Sequence, residues 1–343
     1  MNAKISVIVP FYCTQETYFM RCMKSLLAEP ITDIEIIIID DGSPSEYLGI
    51  MKKFEADERV RIIHAPHAGV SSARNRGIQE AGAKWVMFVD SDDYVSSNSL
   101  QIILNDVEQY KGDVHLFGGG LDSQGSITSN TSFLKENHDY GSSKKEKIAI
   151  MESALTAGLL PEHYVQKFSY GAPYCKLFRR EFLIRNELRF DEGVKFAEDT
   201  LFLLSVFQSA SSIYFHDLFL YYYVDNVESA TRKFRPGLSN DMDVFFERIW
   251  EFICANNLTA ELGTAYYLRA QLEIGRVFSL EFFNPRNRVR NKKKEFKNFI
   301  GKEPYKTALA MNYLPGKSIK KALFWFVVKR GYGSVYRIAV KLV

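Results

Sequence analysis

The chain is poor in cysteine, with four residues in 343: Cys13, Cys22, Cys175 and Cys254. Their spacing fits neither a zinc-ligand pattern nor a disulfide framework, so we expect neither. No run of about twenty apolar residues, the length a helix needs to cross a bilayer, is present. The first apolar run, residues 5–9, is too short for a signal peptide. We therefore expect a cytoplasmic protein in a reducing compartment.

Acidic residues are scarce in the last part of the chain. From Pro285 onward there are 16 lysines and arginines but only two acids, Glu295 and Glu303. The rest carries 28 basic and 39 acidic residues, so the overall net charge of +3 conceals a strongly basic C-terminal part. Such asymmetry favours contact with an anionic membrane or nucleic acid, although a solvated basic tail gives the same pattern.

Apolar runs alternate with helical patterns over the first 90 residues. The runs at 5–9, 34–39, 60–63 and 85–89 predict strands, and those at 34–39 and 85–89 are typical of strands buried on both faces. Helical patterns separate them, one at 47–57 and one capped by Ser71 or Ser72, which predicts βαβ units and a parallel sheet. Later patterns predict helices at 147–157, 198–210 and 240–256, a strand at 221–224, and a mostly helical chain from Pro236.

Two of the predicted strands end in acidic residues. The second runs into Asp40-Asp41-Gly42-Ser43 and the fourth into Asp90-Ser91-Asp92-Asp93. Ligands of open α/β sheets bind beyond the carboxyl ends of the strands. Residues two apart on an extended segment point the same way, so Asp90 and Asp92 can converge on a divalent cation and a phosphate. Turn formation or helix capping explains either motif taken alone.

The segment from His67 to Gly77 places Gly69 before the predicted helix that Ser71 or Ser72 caps. Backbone N–H groups at a helix N-terminus favour anions, and Arg74 or Asn75, one turn further on, can reach a phosphate or ribose. A capped surface helix with solvated arginines explains the same residues.

Six motifs occur in the order and spacing of a known enzyme family. They are SVIVPFY at 6–12, IIIIDDGS at 36–43, GVSSARNRGI at 69–78, FVDSDDYV at 88–95, PYCKLFRREFL at 173–183 and FAEDTLFL at 196–203. Together they resemble the inverting, family 2, GT-A-fold glycosyltransferases. YYYVDNVESATR at 221–232 is similar to segments of bacterial capsule, exopolysaccharide and O-antigen enzymes. The resemblance covers about residues 4–235.

This resemblance implies an α/β fold with a Rossmann-like, mostly parallel sheet and a site for a nucleotide-sugar donor, most often a UDP-sugar. It assigns ten residues to that donor site: Pro10, Tyr12, Glu16, Asp40, Asp41, Arg74, Asn75, Asp90, Asp92 and Asp93. Tyr12 would stack on the base and Asp41 would accept its N–H. Asp92, with Asp90, would hold Mn²⁺ or Mg²⁺, and Asp93 would contact the sugar or the metal.

The resemblance also implies that Asp199 is the general base. An acceptor hydroxyl must lose its proton as it attacks the anomeric carbon opposite the departing diphosphate, and the metal offsets charge on the leaving oxygen. Taken alone, Glu198-Asp199 would only be favourable charges at a helix start. The chain departs from the family at Tyr174-Cys175, where many relatives have Trp-Asn, and at Val224, where they often have Arg. Both departures concern acceptor-side contacts.

The C-terminal residues combine basic charge with an apolar stripe. Between Lys317 and Lys329 the apolar residues share one helical face, and a second short stretch extends to Leu342. Basic helices of this kind lie in a membrane interface. A helix packed on the catalytic domain, or a homodimer contact, fits the same stripe. RNA binding fits the charge but not the long aliphatic stripe.

We predict a nucleotide-sugar-binding half at 1–115, an acceptor-facing half at 116–235 and a helical, basic, membrane-associating region at 236–343. The predicted reaction transfers a hexosyl or N-acetylhexosaminyl group to a hydroxyl of a growing, lipid-linked surface polysaccharide. It would take place at the inner face of the plasma membrane, and we expect no nucleic-acid partner. Two alternatives remain. One is a phosphotransferase with Asp40 as nucleophile, which would usually need acids two residues apart at that strand end. The other is a non-catalytic nucleotide-binding or membrane-scaffold protein.

Overall fold

The computed structural model describes residues 3–129, 138–156, 171–225 and 233–311, together with 328 and 330. Contacts divide the described residues into two compact units. The first holds those up to Gly193 and from Glu198 to 225, and the second holds Val194–Ala197 and those from 233 onward. The predicted basic helices at 317–343 lie outside the described residues, apart from 328 and 330.

The first unit begins with the predicted alternation of strands and helices. Its strands pair in parallel, in the order β3-β2-β1-β4. The elements are β1 (Ile5–Phe11), α1 (Glu16–Leu27), β2 (Ile34–Asp41), α2 (Ser45–Lys52), β3 (Val60–Ala65), α3 (Val70–Glu80) and β4 (Trp85–Phe88). The predicted βαβ units are therefore confirmed. Two details differ: α2 ends five residues before the predicted Asp57, and Gly69 rather than Ser71 or Ser72 precedes the first turn of α3.

The second half of the sheet mixes strand directions. Its elements are β5 (Tyr94–Val95), α4 (Ser99–Val107), β6 (Val114–Ser123), β7 (Ser126–Ser129), α5 (Lys144–Thr156), β8 (Lys176–Arg179), α6 (Arg180–Arg185), α7 (Glu198–Ser209) and β9 (Ile213–Val224). β8 joins the two halves by pairing antiparallel with both β4 and β6, while β6 and β9 are parallel. The boundary predicted after residue 115 falls inside β6.

The core of this unit lies between the sheet and its helices. All seven residues of β1 are buried, which explains its continuous apolar run. Gly77 allows α3 to lie directly on β1, because a Cβ atom there would be 2.3 Å from Cγ2 of Ile8. This close approach fixes α3, and with it Arg74, next to the carboxyl ends of the central strands.

The second unit is helical over its described residues, as predicted from Pro236 onward. Its elements are α8 (Leu238–Ala255), α9 (Thr259–Val277), a π-helical turn (Phe278–Phe282), α10 (Lys292–Ile300) and α11 (Tyr305–Ala310). Aromatic side chains dominate its core, and α10 buries Phe296 and Phe299 while most of its lysines are exposed. None of the helices that the structure describes is both long enough and apolar enough to span a bilayer.

Two buried histidines and a partly exposed aspartate form a chain of polar contacts between β6, β9 and α4. His115 Nδ1 lies 2.8 Å from His216 Nε2, and His216 Nδ1 lies 2.9 Å from a carboxylate oxygen of Asp106. Burial, and then the positive charges of His216, Arg179 and Lys84, lower the pKa of His115 from 6.5 to about 2. Its Nε2 atom is buried with no hydrogen-bond partner among the described residues. The folded chain therefore keeps this ring neutral.

This neutral histidine makes stability fall in acid. Below about pH 6.5 the unfolded chain binds a proton at His115 and the folded chain does not, so we expect this group to remove about 1.4 kcal/mol of unfolding free energy between about pH 7.5 and pH 5.5. Urea unfolding at both pH values measures the loss. It should shrink by that amount in His115→Phe and persist in the control His138→Gln, which removes an exposed histidine paired with Glu146. Equal losses in wild type and His115→Phe would contradict this assignment.

Candidate active site

The two acidic motifs lie at the same edge of the sheet. β1 separates β2 from β4 and is parallel to both, so the three carboxyl ends point the same way. Asp40 pairs with Phe11 at the end of β1, and Asp90 follows β4 by two residues. Beyond β1 the chain reaches Tyr12 and the start of α1. The strand order confirms that both motifs lie at one edge of the sheet. That a ligand binds there stays a prediction.

Asp40 and Asp41 are both buried, and each has a histidine partner. Asp40 accepts a hydrogen bond from the backbone N–H of Ser43 (3.0 Å) and lies 2.8 Å from His64 Nδ1. Asp41 accepts hydrogen bonds from the N–H groups of Ala68 and Gly69, and its second oxygen lies 2.8 Å from His67 Nδ1. Asp41 therefore anchors the loop that leads into α3.

Tyr12 lies on the open side of this loop. Its ring is 49% exposed and stacks on the His67 imidazole, with centroids 4.2 Å apart and planes 20° from parallel. Gly42 permits this arrangement, because its φ is +70° and a Cβ there would be 2.5 Å from the backbone N of His67. Tyr12, His67 and Asp41 thus form one contiguous surface at the strand edge.

Pro10 and Glu16 lie on either side of Tyr12 along the chain. Pro10 is buried within β1. Glu16 begins α1, is half exposed and pairs with Lys53. Their predicted contacts with a nucleotide stay predictions.

The acids after β4 have three different environments. Asp93 is fully buried: one of its oxygens accepts the hydroxyl of Tyr221 (2.5 Å) and the other accepts the N–H of Val224 (2.8 Å). Asp90 is partly exposed and pairs with Arg74 at 3.0 Å. Asp92 is half-buried, and within the described part of the chain its carboxylate has its own backbone N–H as a hydrogen-bond partner but no partner from another residue. Asp93 thus fastens this loop to β9. Its predicted contact with the sugar or the metal stays a prediction.

Burial and, to a smaller extent, the negative charge of Asp90 together raise the pKa of Asp92 to about 6. The positive charge of Arg21, from α1, acts in the opposite direction. Arg21 pairs with Asp122 at 3.1 Å and lies over the ring of Tyr94. A cation bound beside this carboxylate would favour its ionised form.

Arg74 connects the two acidic segments. Its buried guanidinium donates to Asp90 and to Glu198, in both cases at 3.0 Å. The nearby acids raise its pKa, more than offsetting burial, which acts to lower it. Because Glu198 is the first residue of α7, Arg74 fixes the start of this helix beside the Asp90 loop. Arg74 is thus placed among the acids, as a bridge between them.

Asn75 is used differently from its neighbour. Its side-chain oxygen accepts the N–H of Phe190, and its amide nitrogen donates to the carbonyl of Phe190 and to Glu192. These contacts hold the 190–192 segment against α3. The Asn75 side chain therefore makes three hydrogen bonds within the protein, and its predicted contact with a nucleotide stays a prediction.

Asp199 lies half-buried in the first turn of α7. One of its carboxylate oxygens accepts the backbone N–H of Thr200 at 2.8 Å. Its negative charge acts on two buried cations, Arg74 and Lys176. Sequence reasoning missed Lys176, although a lysine at the start of an apolar strand is an unusual residue to bury. It also missed Tyr221, whose hydroxyl reaches both Asp93 and the N–H of Asp90.

The side chains at the edge fit a divalent cation through carboxylate oxygens. Mg²⁺ and Mn²⁺ are commonly held by one or two carboxylates together with substrate phosphates. Among the described residues, no other residue pairs with the Asp92 carboxylate, and Asp90 offers the oxygen that Arg74 leaves. The described residues contain no group of three or more acids, histidines or cysteines arranged to hold a metal by themselves. The arrangement therefore fits a cation that a phosphate ligand helps to bind.

Comparisons with known proteins agree with this fold. The family model described as glycosyl transferase family 2 matches residues 6–185. The uncharacterized glycosyltransferase EpsJ of Bacillus subtilis is 34% identical over 69% of this chain and 66% of its own length. The poly(ribitol-phosphate) beta-N-acetylglucosaminyltransferase TarS of Staphylococcus aureus is 27% identical over 77% of this chain and 42% of its own length. The chain thus spans less than two thirds of these relatives.

Solved structures resemble the whole chain. The crystal structure of S. aureus TarS 1–349 in complex with UDP-GlcNAc has a TM-score of 0.62 and 20% identity, over 98% of this chain and 90% of that one. The complex of TarS 1–349 with UDP gives a TM-score of 0.59 at 21% identity. At this identity the likeness shows the fold, which is the GT-A fold expected from the motifs.

The different environments of Asp92 and Asp93 predict different effects on stability. Asp93→Ala leaves the Tyr221 hydroxyl and the Val224 N–H without an acceptor in a buried site, so we expect a loss of about 2–4 kcal/mol. Asp92→Ala removes a half-buried charge that no other described residue pairs with, and should either raise stability or lower it by no more than about 0.5 kcal/mol. Urea unfolding of both variants at neutral pH measures the contrast. Equal losses would mean that the two side chains share one structural role.

Proposed function

The chain belongs to glycosyltransferase family 2, and we propose that it transfers a sugar from a uridine diphosphate sugar to a hydroxyl group of a growing surface polysaccharide. The transferred group would be a hexose or N-acetylhexosamine, with inversion at the anomeric carbon. The printed name of TarS describes an N-acetylglucosaminyltransferase, and its solved complexes contain UDP and UDP-GlcNAc. These relatives support the class of donor proposed here.

One observation carries the proposal: the acids at the strand edge differ in whether other residues of the protein bind their carboxylates. Asp93 is tied to Tyr221 and Val224, and Asp90 is tied to Arg74. Among the described residues, no other residue pairs with the Asp92 carboxylate, and burial together with the charge of Asp90 disfavours its ionised form. A site for a cation and a diphosphate explains why an unpaired carboxylate stays at this position.

The nucleoside would occupy the surface formed by Tyr12, His67 and Asp41. The exposed ring of Tyr12 offers a face for stacking of the base. Both oxygens of Asp41 already accept backbone N–H groups, and one is shared with His67. A base N–H would therefore reach Asp41 in place of the His67 ring nitrogen. Asp40 would support this site indirectly, through its contacts with the Ser43 turn and His64. The residues that would border the site are Pro10, Glu16, Asp40, Arg74 and Asn75.

Asp199 is the proposed general base. As the acceptor oxygen bonds to the anomeric carbon, its proton passes to the Asp199 carboxylate and the diphosphate leaves with the electrons of the broken C–O bond. Lys176 and Arg74 favour the ionised carboxylate that can take this proton. Attack from the face opposite the diphosphate gives the inverted product.

A divalent cation, Mn²⁺ or Mg²⁺, would be held by Asp92 together with Asp90. When bound, it would offset the negative charge of the departing diphosphate. Arg74 keeps Asp90 in place from the protein side, so that the two carboxylates stay close together despite their repulsion.

We assign the proposed acceptor and membrane contacts to different parts of the chain. We place the acceptor side at residues 116–235 and a membrane-contacting role in residues 236–343. Arg286, Arg288 and Arg290 are exposed in the described part of that region and can face an anionic surface at the inner side of the plasma membrane. A lipid-linked saccharide would be met there. Homodimer contact through residues 317–343 remains a separate proposal.

The two alternatives from the sequence have less support. Asp40 is a poor phosphotransfer nucleophile, because its oxygens accept the Ser43 N–H and lie against His64. Family membership also favours sugar transfer over phosphoryl transfer. A non-catalytic scaffold would have no use for the unpaired carboxylate of Asp92 or for Asp199 beside a buried lysine.

Calorimetric titration of UDP tests the donor site. We expect UDP to bind with Mn²⁺ present, and to bind at least about tenfold more weakly with EDTA, because the cation joins the diphosphate to Asp92. Asp92→Asn should weaken binding in Mn²⁺ to the level seen with EDTA. Asp191→Asn, outside the acidic cluster, is the control and should bind UDP as the wild type does. Metal-independent binding that Asp92→Asn leaves unchanged would reject the proposed metal site, and no binding under either condition would reject UDP.

A further inference from the structure

The His67 side chain makes the two contacts that the proposed function assigns to a base. Its ring stacks on Tyr12, with centroids 4.2 Å apart and planes 20° from parallel. Its Nδ1 atom lies 3.0 Å from the carbonyl oxygen of Asp41 and 2.8 Å from a carboxylate oxygen of the same residue. A carbonyl oxygen can only accept a hydrogen bond, so Nδ1 carries a hydrogen. The chain thus presents a planar heterocycle with a ring N–H to its own Tyr12 and Asp41.

A base cannot make both of these contacts while the His67 ring stays in place. The space that touches the face of Tyr12 and the carboxylate of Asp41 at the same time is filled by the imidazole. The carboxylate also has little room for an additional partner, because its oxygens already accept the backbone N–H groups of Ala68 and Gly69. A base that stacks on Tyr12 and donates to Asp41 must therefore take the place of the imidazole.

The His67 ring can leave this space by rotation of its side chain alone. The side chain is 54% exposed, and among the described residues only Tyr12 and Asp41 stack on its ring or hydrogen-bond to it. The backbone that follows it is fixed, because the N–H groups of Ala68 and Gly69 both donate to the Asp41 carboxylate. Exposed side chains change rotamer on a fast timescale, so the loop can keep its shape while the ring moves out and back.

We propose that the His67 imidazole competes with the nucleotide base for the space between Tyr12 and Asp41, and that a base enters by displacing it. The inference rests on the proposed function, since the competing ligand is the nucleotide of that reaction. The contacts that His67 releases also define the ligand: a planar ring that stacks on Tyr12 and donates one ring N–H to Asp41. Uracil has such an N–H at N3, whereas the corresponding ring nitrogens of neutral cytosine and adenine only accept hydrogen bonds.

This competition predicts that removing the His67 ring strengthens UDP binding. The apparent affinity of a ligand is reduced in proportion to the fraction of molecules whose site is open to it. In His67→Ala the space beside Tyr12 is open in every molecule, so we expect the Kd for UDP in Mn²⁺ to fall by about three- to tenfold. A side chain that contacted the bound base would give a change of the opposite sign, because its loss would weaken binding.

The test is calorimetric titration of UDP in Mn²⁺ into the wild type, His67→Ala and His138→Ala. His138 is the matched control, because it is also an exposed histidine that pairs with a carboxylate, that of Glu146 at 2.9 Å, and contacts a tyrosine ring, that of Tyr140. We expect His138→Ala to bind UDP with the wild-type Kd. A second measurement follows the ring itself: the assigned His67 ring C–H signals in the NMR spectrum of the wild type should shift when UDP is added, because the ring leaves the face of Tyr12.

The outcomes separate this competition from the function on which it rests. If neither the wild type nor His67→Ala binds UDP, the proposed donor fails and the competition fails with it, whereas binding by His67→Ala alone would support both. If the wild type binds UDP and His67→Ala binds it equally or more weakly, only the competition is rejected. Where His67→Ala does not fold, the NMR measurement decides, and His67 ring signals that stay unchanged at saturating UDP overturn the proposal.

Discussion

A buried arginine holds together the acidic end of the sheet, and the other features of the site depend on it. Arg74 pairs with Asp90 after β4 and with Glu198 at the start of α7. Several carboxylates meet at this edge, and without a cation their repulsion and their loss of hydration would both oppose folding. The contact of Gly77 with Ile8 places α3 close enough for Arg74 to reach both partners. The position of α3 thereby sets the distance between Asp90, on the proposed donor side, and Glu198, beside the proposed base.

The carboxylates at this edge differ in their partners. Asp93 accepts a tyrosine hydroxyl and a backbone N–H, Asp90 and Glu198 both pair with Arg74, and Asp199 accepts the N–H of Thr200. Of these five acids, only Asp92 has no partner from another of the described residues. The chemistry proposed for Asp92, binding a cation and a diphosphate, follows from this division. At the end of β2, most of the hydrogen bonds of Asp41 likewise go to the loop before α3.

Local sequence signals predicted the strands and the acidic strand ends, because β-branched runs and turn residues act over a few positions. They could not predict the partners of those acids. Asp93 is bound by Tyr221 and Val224, and Arg74 by Glu198, all more than 100 residues away along the chain. Asn75 was expected near the nucleotide for its place in a motif, yet its amide is used by Phe190. A motif identifies which residues gather at a site, while the packing decides which of them remain available to a ligand.

The central claim is that the acids divide the reaction between donor binding at Asp92 and proton removal at Asp199. The most direct measurement is UDP release from a UDP-sugar by Asp199→Asn, together with its affinity for UDP in Mn²⁺. The account predicts a kcat lower by about 10²–10⁴-fold with UDP affinity changed by no more than about twofold, because a general base acts on the chemical step and not on the nucleotide. An Asp199→Asn enzyme that releases UDP at the wild-type rate would contradict the account.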